Sequence, residues 1–274
     1  MSPFPTRRVF TLRQRERLSA FTLPKLRERF AFTLLELLVV IGIIAILMVL
    51  IAPAFTSIKT GNDVTSAAYT IKGVLDQART YAKANNTYTW VGFFEENVSQ
   101  PSTNPATAGT GRIVMSVVAS NDGTIIYTSS SPGTIDTTRL LQVGKLTKID
   151  NVHLATFTDG SGAGSTFVTR PPVTFNGTQY RIGDTTPLNS TGTLFQYPVG
   201  NPAPTLQYKF LKGVQFSPGG VAQVINATTS YSPQTAAEIG LEPTHGSVAP
   251  ASIPANVVAI QFTGVSGDVI IYRK

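Results

Sequence analysis

Residues 32–55 read FTLLELLVVIGIIAILMVLIAPAF. From Leu37 to Ile58 no charged residue occurs, 22 positions in a row. A helix over Phe32–Pro53 would be roughly 33 Å long at 1.5 Å per residue. That matches a bilayer core of about 30 Å. The run is too long and too uniformly apolar for a helix of a soluble enzyme, which keeps a polar face. It predicts a membrane span, and the rest of the chain is read from it.

Charge sets the expected orientation. Residues 1–31 hold eight basic side chains and two acids, a balance of +6. The other 243 residues balance at +1. Basic flanks stay on the cytoplasmic side of a span, so the segment after Pro53 is expected to be translocated. A cleaved secretory signal has an apolar stretch of only about 7–15 residues. This run is longer and continues as helix, so the span is expected to stay with the mature protein. Glu36 breaks the apolar pattern near its cytoplasmic end. An unpaired ionised carboxylate at that depth costs several kcal/mol. Glu36 either has a functional partner or reaches back to the interface.

The 274 residues are 42% hydrophobic and 14% charged, which suits one domain with appendages and excludes a wholly disordered chain. With no cysteine there is no disulfide scaffold, no Cys-ligated zinc or iron–sulfur site and no Cys nucleophile. Two histidines, His153 and His245, leave little for a multi-His metal site. No metal and no cofactor is expected. No P-loop, dinucleotide fingerprint, Gly-x-Ser-x-Gly or His-Glu-x-x-His motif occurs, so no catalysis is expected.

Beyond Pro53, which should kink the helix, the period resumes. Val64, Ala67/Ala68, Ile71, Val74/Leu75, Ala78 and Tyr81/Ala82 recur at helical spacing. Lys72, Asp76, Gln77, Arg79 and Lys83 occupy the other face, with Asp76 and Arg79 spaced to pair. The helix should end near Asn85-Asn86, and its amphipathic half must lie on a sheet. Strands are expected at Tyr88–Glu95, Arg112–Ser120, Thr124–Ser129, Val152–Thr158, Pro172–Phe175, Gln179–Ile182, Tyr208–Phe216, Val221–Ile225, Val257–Thr263 and Asp268–Tyr272. Asn121-Asp122-Gly123, Ser217–Gly220 and the segment before Asp268 should close hairpins. Gln100–Gly111 and Pro187–Pro204 read as loops, and Thr228–Asn256 as an insertion. Within it Ser232–Gly240 reads as a short helix, with Ser232 its N-cap, Pro233 its first residue and Gly240 its stop.

Glu95 and Glu96 are strand neighbours facing opposite sides, and a solvated or edge position is expected for them. Asp159–Ser165 reads as a flexible loop rather than a phosphate or calcium site. His153 should face outward or be a satisfied packing residue. Trp90 should pack between helix and sheet.

Ala31–Ile41 (AFTLLELLVVI) resembles the class III signal of type IV pilins and type II secretion pseudopilins. The resemblance implies a basic leader, residues 1–31, cut between Ala31 and Phe32. It implies N-methylation of Phe32, a pairing and register role for Glu36 in an assembled filament, and a helix kink at Pro53. Ala31 stands where Gly is usual, and the leader is longer than most. Leu75–Asn86 followed by a strand, the Val214–Gly220 hairpin and the final Gly-x-x-Gly hairpin are similar to H-type minor pseudopilins.

The implied fold is α+β and pilin-like. A long N-terminal helix (32–86, transmembrane over about 32–55) packs on an antiparallel β-sheet head (87–274). The implied partners are a prepilin peptidase/methyltransferase, other pseudopilins or pilins, an inner-membrane assembly platform and inner-membrane lipid. The implied location is the bacterial inner membrane, single-pass, with the head periplasmic. The implied role is a minor pseudopilin of type II secretion. A minor pilin of a type IV pilus or DNA-uptake machine stays open, as does a non-polymerising membrane-anchored binding module. The near-neutral head argues against nucleic acid as a partner.

Overall fold

A computed structural model of the chain describes residues 33–125, 135–160, 167–175, 178–179, 181–183, 194–200, 205–225 and 236–274. Side chains are described for these except 50–62, 174–175, 178–179, 225 and 236. The leader, Ala31 and Phe32 lie outside them, as does the side chain of Pro53 and hence its expected kink. The chain divides into two units, Met1–Leu50 and Ile51–Lys274.

Helix α1 runs Leu34–Ala84. In the first unit its large apolar side chains from Leu34 to Val49 are exposed, between 43% at Val40 and 82% at Leu34. At 1.5 Å per residue this described stretch is about 24 Å long. Among the described residues no helix is long and apolar enough to cross a membrane.

In the second unit α1 changes character. Val64, Ala67, Ala68, Ile71, Val74, Leu75, Ala78 and Ala82 are all buried, the stripe that the helical spacing predicts. The helix stops where Asn86 takes a positive φ of 49°. The Thr87 amide then donates to the Ala82 carbonyl at 3.0 Å. That bond, with Asn in the left-handed position, is the Schellman termination. The hydroxyl of Thr89 donates back to the Ala78 carbonyl at 3.0 Å and ties the first strand to the helix.

The head carries two main antiparallel sheets rather than one. The first holds β1 (Thr89–Asn97), β2 (Gly111–Ser120), β3 (Leu140–Gln142), β4 (Thr147–Asp150), β10 (Lys212–Phe216) and β11 (Ala222–Ile225). Its order is β11-β10-β1-β2-β3, with β4 also on β2. The second holds β5 (Val152–Ala155), β12 (Ala236–Pro243), β13 (Val258–Thr263) and β14 (Val269–Arg273), in the order β14-β13-β12-β5. Two short hairpins pair β6 (Thr174–Phe175) with β7 (Thr178–Gln179) and β8 (Phe195–Tyr197) with β9 (Tyr208–Phe210). Between β4 and β5 stands Asn151 alone, at a φ of 65°, so the chain changes sheets in one left-handed residue.

One core joins the helix stripe to both sheets through Val91, Phe93, Val214 and Phe216 and through Ile239, Leu241, Ile260 and Phe262. The first sheet is buried on its other face too. There Trp90, Val114 and Val118 meet Phe195, Tyr208 and Phe210. Gly92 makes this closeness possible, because a Cβ on it would lie 2.6 Å from both the Phe195 and Phe210 rings.

Several expectations need correction. Trp90 packs on the face away from the helix, because Val91 and Phe93 take the helix-facing parity. Its indole N–H donates to Gln215 Oε1 at 2.9 Å. The segment after Asn121–Gly123 does not return along β2. Ser120 pairs with Leu140, and the Asp122 carboxylate instead binds Ser120, Thr124 and Arg139. Residues 126–129 of that expected strand lie outside the described residues. The described part of Ser232–Gly240 is strand, not helix. β12 lies between β13 and β5, so pairing on both edges overrides local helix preference. Thr228–Asn256 therefore supplies a central strand. Tyr208–Phe216 is two strands with different partners, and β8 interrupts the loop expected at Pro187–Pro204. Asp76 pairs with Lys72 at 3.0 Å, and Arg79 with Asp268 at 3.1 Å, instead of with each other. The Ser217–Gly220 and final hairpins are found where expected.

Candidate functional site

Glu36 sits in the first turn of α1. Thr33 precedes the helix, and its hydroxyl accepts the Glu36 amide at 3.2 Å. Thr33-Leu34-Leu35-Glu36 is the Thr-x-x-Glu pattern of a capping box, a signal visible in the sequence. A carboxylate here also suits the positive end of the helix dipole. Glu36 is exposed, and no cation pairs with it among the described residues. Of the four residues read as the processing and assembly site, its surroundings alone are described. Pro53 lies in helical backbone, and Ala31 and Phe32 are outside the described residues.

Among the described residues, clusters of ionisable groups form around Glu238, Glu96 and Glu95. Glu238 is 1% exposed and receives Arg170 Nε at 2.7 Å and Gln261 Nε2 at 2.9 Å. Arg181 joins Glu238 to Asp159. Asp159 is thus a structural anchor, while residues 161–166 of its expected loop lie outside the described residues. Each charge in this knot is met by an opposite one, as burial requires.

Glu95 and Glu96 do point to opposite sides, but neither is solvated. Glu96 is 3% exposed. It accepts from Ser102 at 2.7 Å, Lys148 at 3.3 Å and Arg112 at 3.4 Å. Burial disfavours its ionised form, yet the bonds from Ser102, Lys148 and Arg112 outweigh that and hold its pKa below the ordinary value.

Glu95 ties the two sheets together. Its carboxylate accepts the Gly111 amide at 2.9 Å and His153 Nδ1 at 2.8 Å. His153 stands opposite Glu242 on β12. The bond to Glu95 raises the His153 pKa, more than burial lowers it. Burial raises the pKa of Glu242, with His153 opposing and Glu95 adding. His153 is thus a satisfied residue on one nitrogen, as one of the two sequence expectations has it.

A cleft of about 410 Å³ opens beside this pair. Its apolar walls include Phe94, Leu154, Ile182 and Leu211, and its polar side chains are Glu95, Thr110, His153 and Lys212. Nothing in the sequence announces it, because its lining comes from five separate segments. Among the described residues no group of three or more His, Cys, Asp or Glu is placed to hold a metal ion.

Residues 26–52 match the family model of the prokaryotic N-terminal methylation motif. The match covers Ala31, Phe32 and Glu36 and stops before the head. No curated protein and no solved structure matches the chain. The motif belongs to a structural rather than a catalytic family, whose members are processed by prepilin peptidase and assemble with other pilins. It supports a type IV pilin-like or pseudopilin family for this chain.

Proposed function

We propose that this chain is a structural subunit, a minor pseudopilin of a type II secretion system. It would be cut between Ala31 and Phe32, methylated on Phe32 and stored in the inner membrane. The observation that carries the reading is the methylation-motif match over residues 26–52. The exposed apolar side chains of Leu34–Val49 support it. So wide an apolar surface has to be covered, by lipid before assembly and by neighbouring helices after it. The span would use the full run of residues 32–55, with the basic leader in the cytoplasm and the head in the periplasm.

Glu36 fits this scheme chemically. Cleavage at Phe32 creates an ammonium, and methylation keeps its charge. Meeting the Glu36 carboxylate of a neighbour would compensate both buried charges and fix axial register. Loss of one partner would leave the other unpaired, at roughly 3–5 kcal/mol.

Mass spectrometry of the intact chain from native membranes tests the reading. N-methyl-Phe32 as first residue is the expected result. A retained leader, or a cut after the apolar run, would sink it. Glu36→Leu is then expected to leave processing intact and abolish incorporation into filaments. Loss of secretion with pili unaffected, on deleting the gene, is the outcome that separates a secretion subunit from a pilus subunit.

A further inference from the structure

We propose that Glu95, His153 and Glu242 form a proton-dependent clasp that holds the edge strand β5 against the first sheet. The clasp tightens as protons bind and loosens as they leave. Placement comes first. β5 ends the second sheet and pairs there with β12 alone. On its other edge the Leu154 amide donates to Glu95 Oε2 at 3.4 Å. His153 Nδ1 lies 2.8 and 3.0 Å from the two Glu95 oxygens. Among the described residues these are the only hydrogen bonds from β5 to the first sheet. The carboxylate is itself fixed by the Gly111 amide of β2 at 2.9 Å. One side chain therefore makes every polar tie between β5 and that sheet.

Charge decides how tight the tie is. An ionised carboxylate can only accept, so Nδ1 carries the proton of this bond. A second proton, on Nε2, makes the ring an imidazolium. Its charge then lies between two acids, Glu95 on β1 and Glu242 opposite it on β12. A charge-assisted bond is roughly twice as strong as a neutral one. Loss of the Nε2 proton removes that charge and leaves Glu95 and Glu242 to repel across a neutral ring. The other charged groups of the neighbouring elements are engaged elsewhere. Lys212 of β10 donates to the Ile182 carbonyl at 3.2 Å. Arg112 of β2 meets Glu96 and Asp150, and Arg181 meets Asp159 and Glu238.

Both linked groups act in the same sense. The His153 pKa is raised from 6.5 and that of Glu242 from 4.5, so each holds its proton more tightly in the closed head. Their contribution is complete below those ordinary values and is lost as pH rises through the raised ones. The head also has the parts that such a clasp needs. Asn151, left-handed at a φ of 65°, is the single residue between β4 and β5 and serves as the pivot. The cleft of about 410 Å³ lies between Phe94 and Glu95 on one side and His153 and Leu154 on the other, so parting them widens a space already present. Just past β12, the Thr244 hydroxyl is buried with no partner among the described residues. The closed form thus leaves a polar atom unsatisfied, which opening would hydrate. The clasp stands apart from leader processing and does not depend on it.

The test uses the full chain in lipid nanodiscs. Hydrogen exchange at the histidine ring carbon between the two nitrogens, read by mass spectrometry, follows the His153 titration. Amide exchange of the peptides holding Gly111 and Leu154, corrected for the intrinsic effect of pH, reads the clasp. His153 is expected to titrate above 6.5, and protection of both peptides should fall severalfold across that same titration. Peptides holding Trp90 and Val118, in the cluster on the far face of the first sheet, should not follow it. His153→Gln and Glu95→Gln should each remove the pH dependence, and Glu242→Gln should shift the His153 titration down. A His153 titration at or below 6.5 overturns the proposal. So does protection at Gly111 and Leu154 that ignores the titration, that falls equally at Trp90 and Val118, or that keeps its pH dependence in both variants. Should neither variant fold, the wild-type titration and protection still decide.

Discussion

The two ends of α1 are built from similar residues and live in opposite conditions. From Leu34 to Val49 the large apolar side chains are exposed, on every face of the helix. From Val64 to Ala82 they form one buried stripe, with Lys72, Asp76 and Arg79 outside it. The lesson is that apolar content alone does not place a helix; its angular distribution does. A stripe finds its partner within the chain. A helix apolar all round needs one from outside, and the methylation-motif match falls on that part.

The largest expected effect breaks the symmetry directly. Leu75→Ala opens a cavity in the fully buried stripe and should cost about 2–5 kcal/mol of head stability. Leu38→Ala, at 57% exposure, should change it by less than about 0.5 kcal/mol. Denaturant titration of the two variants reads the difference, and equal losses would erase the contrast. Next is Gly92→Ala, which pushes a methyl into Phe195 and Phe210 on the far side of the first sheet. Overpacking of this kind costs about 1–3 kcal/mol. The near-ultraviolet signal of Trp90, in the same cluster, should change with it.

Acid pH sharpens the comparison from another side. The Glu96 pKa is lowered from 4.5 in the folded head. Its stabilisation is complete above that ordinary value and is lost as pH falls through the lowered one. Glu96→Gln should therefore flatten the loss of head stability below pH 4.5. An acid limb as steep as that of the wild type would show that other carboxylates set it. The smallest effect is Lys72→Met. It removes a part-exposed pair with Asp76 worth about 0.2–0.5 kcal/mol, plus one bond to Val269. A shift in melting temperature of a degree or two is expected.

Much of this was readable from residues alone, and the failures have causes. The stripe from Val64 to Ala82 was legible because a helix on a sheet must repeat its apolar positions near 3.6. The Ser217–Gly220 hairpin was legible because its turn is built from residues that favour turns. Ser232-Pro233 imitates a helix start, so the helix expected over Ser232–Gly240 hides the strand Ala236–Pro243. The alternation Ala237, Ile239, Leu241 was the better signal, since those three positions are buried. Both faces of β1 are covered, so the size of Trp90 gives no clue to its direction. The burial of Glu96 could not be read at all. It depends on Arg112 and Lys148, which reach it from β2 and β4. Of the candidate site, the Thr33–Glu36 cap was in the sequence, whereas the cleft beside His153 is made only by tertiary approach.

The bond from Lys72 to the Val269 carbonyl spans 197 positions. Arg79 likewise reaches Asp268, and Phe262 and Val269 share the helix's core. The helix scaffold is therefore finished by strands that emerge 197 positions later. Contacts so distant along a chain form slowly. A head delivered across a membrane from its N-terminal side would have to wait, open and sticky, until Val269 arrived. Such an interval is a natural opening for a chaperone, and a short delay in export late in the chain would lengthen it.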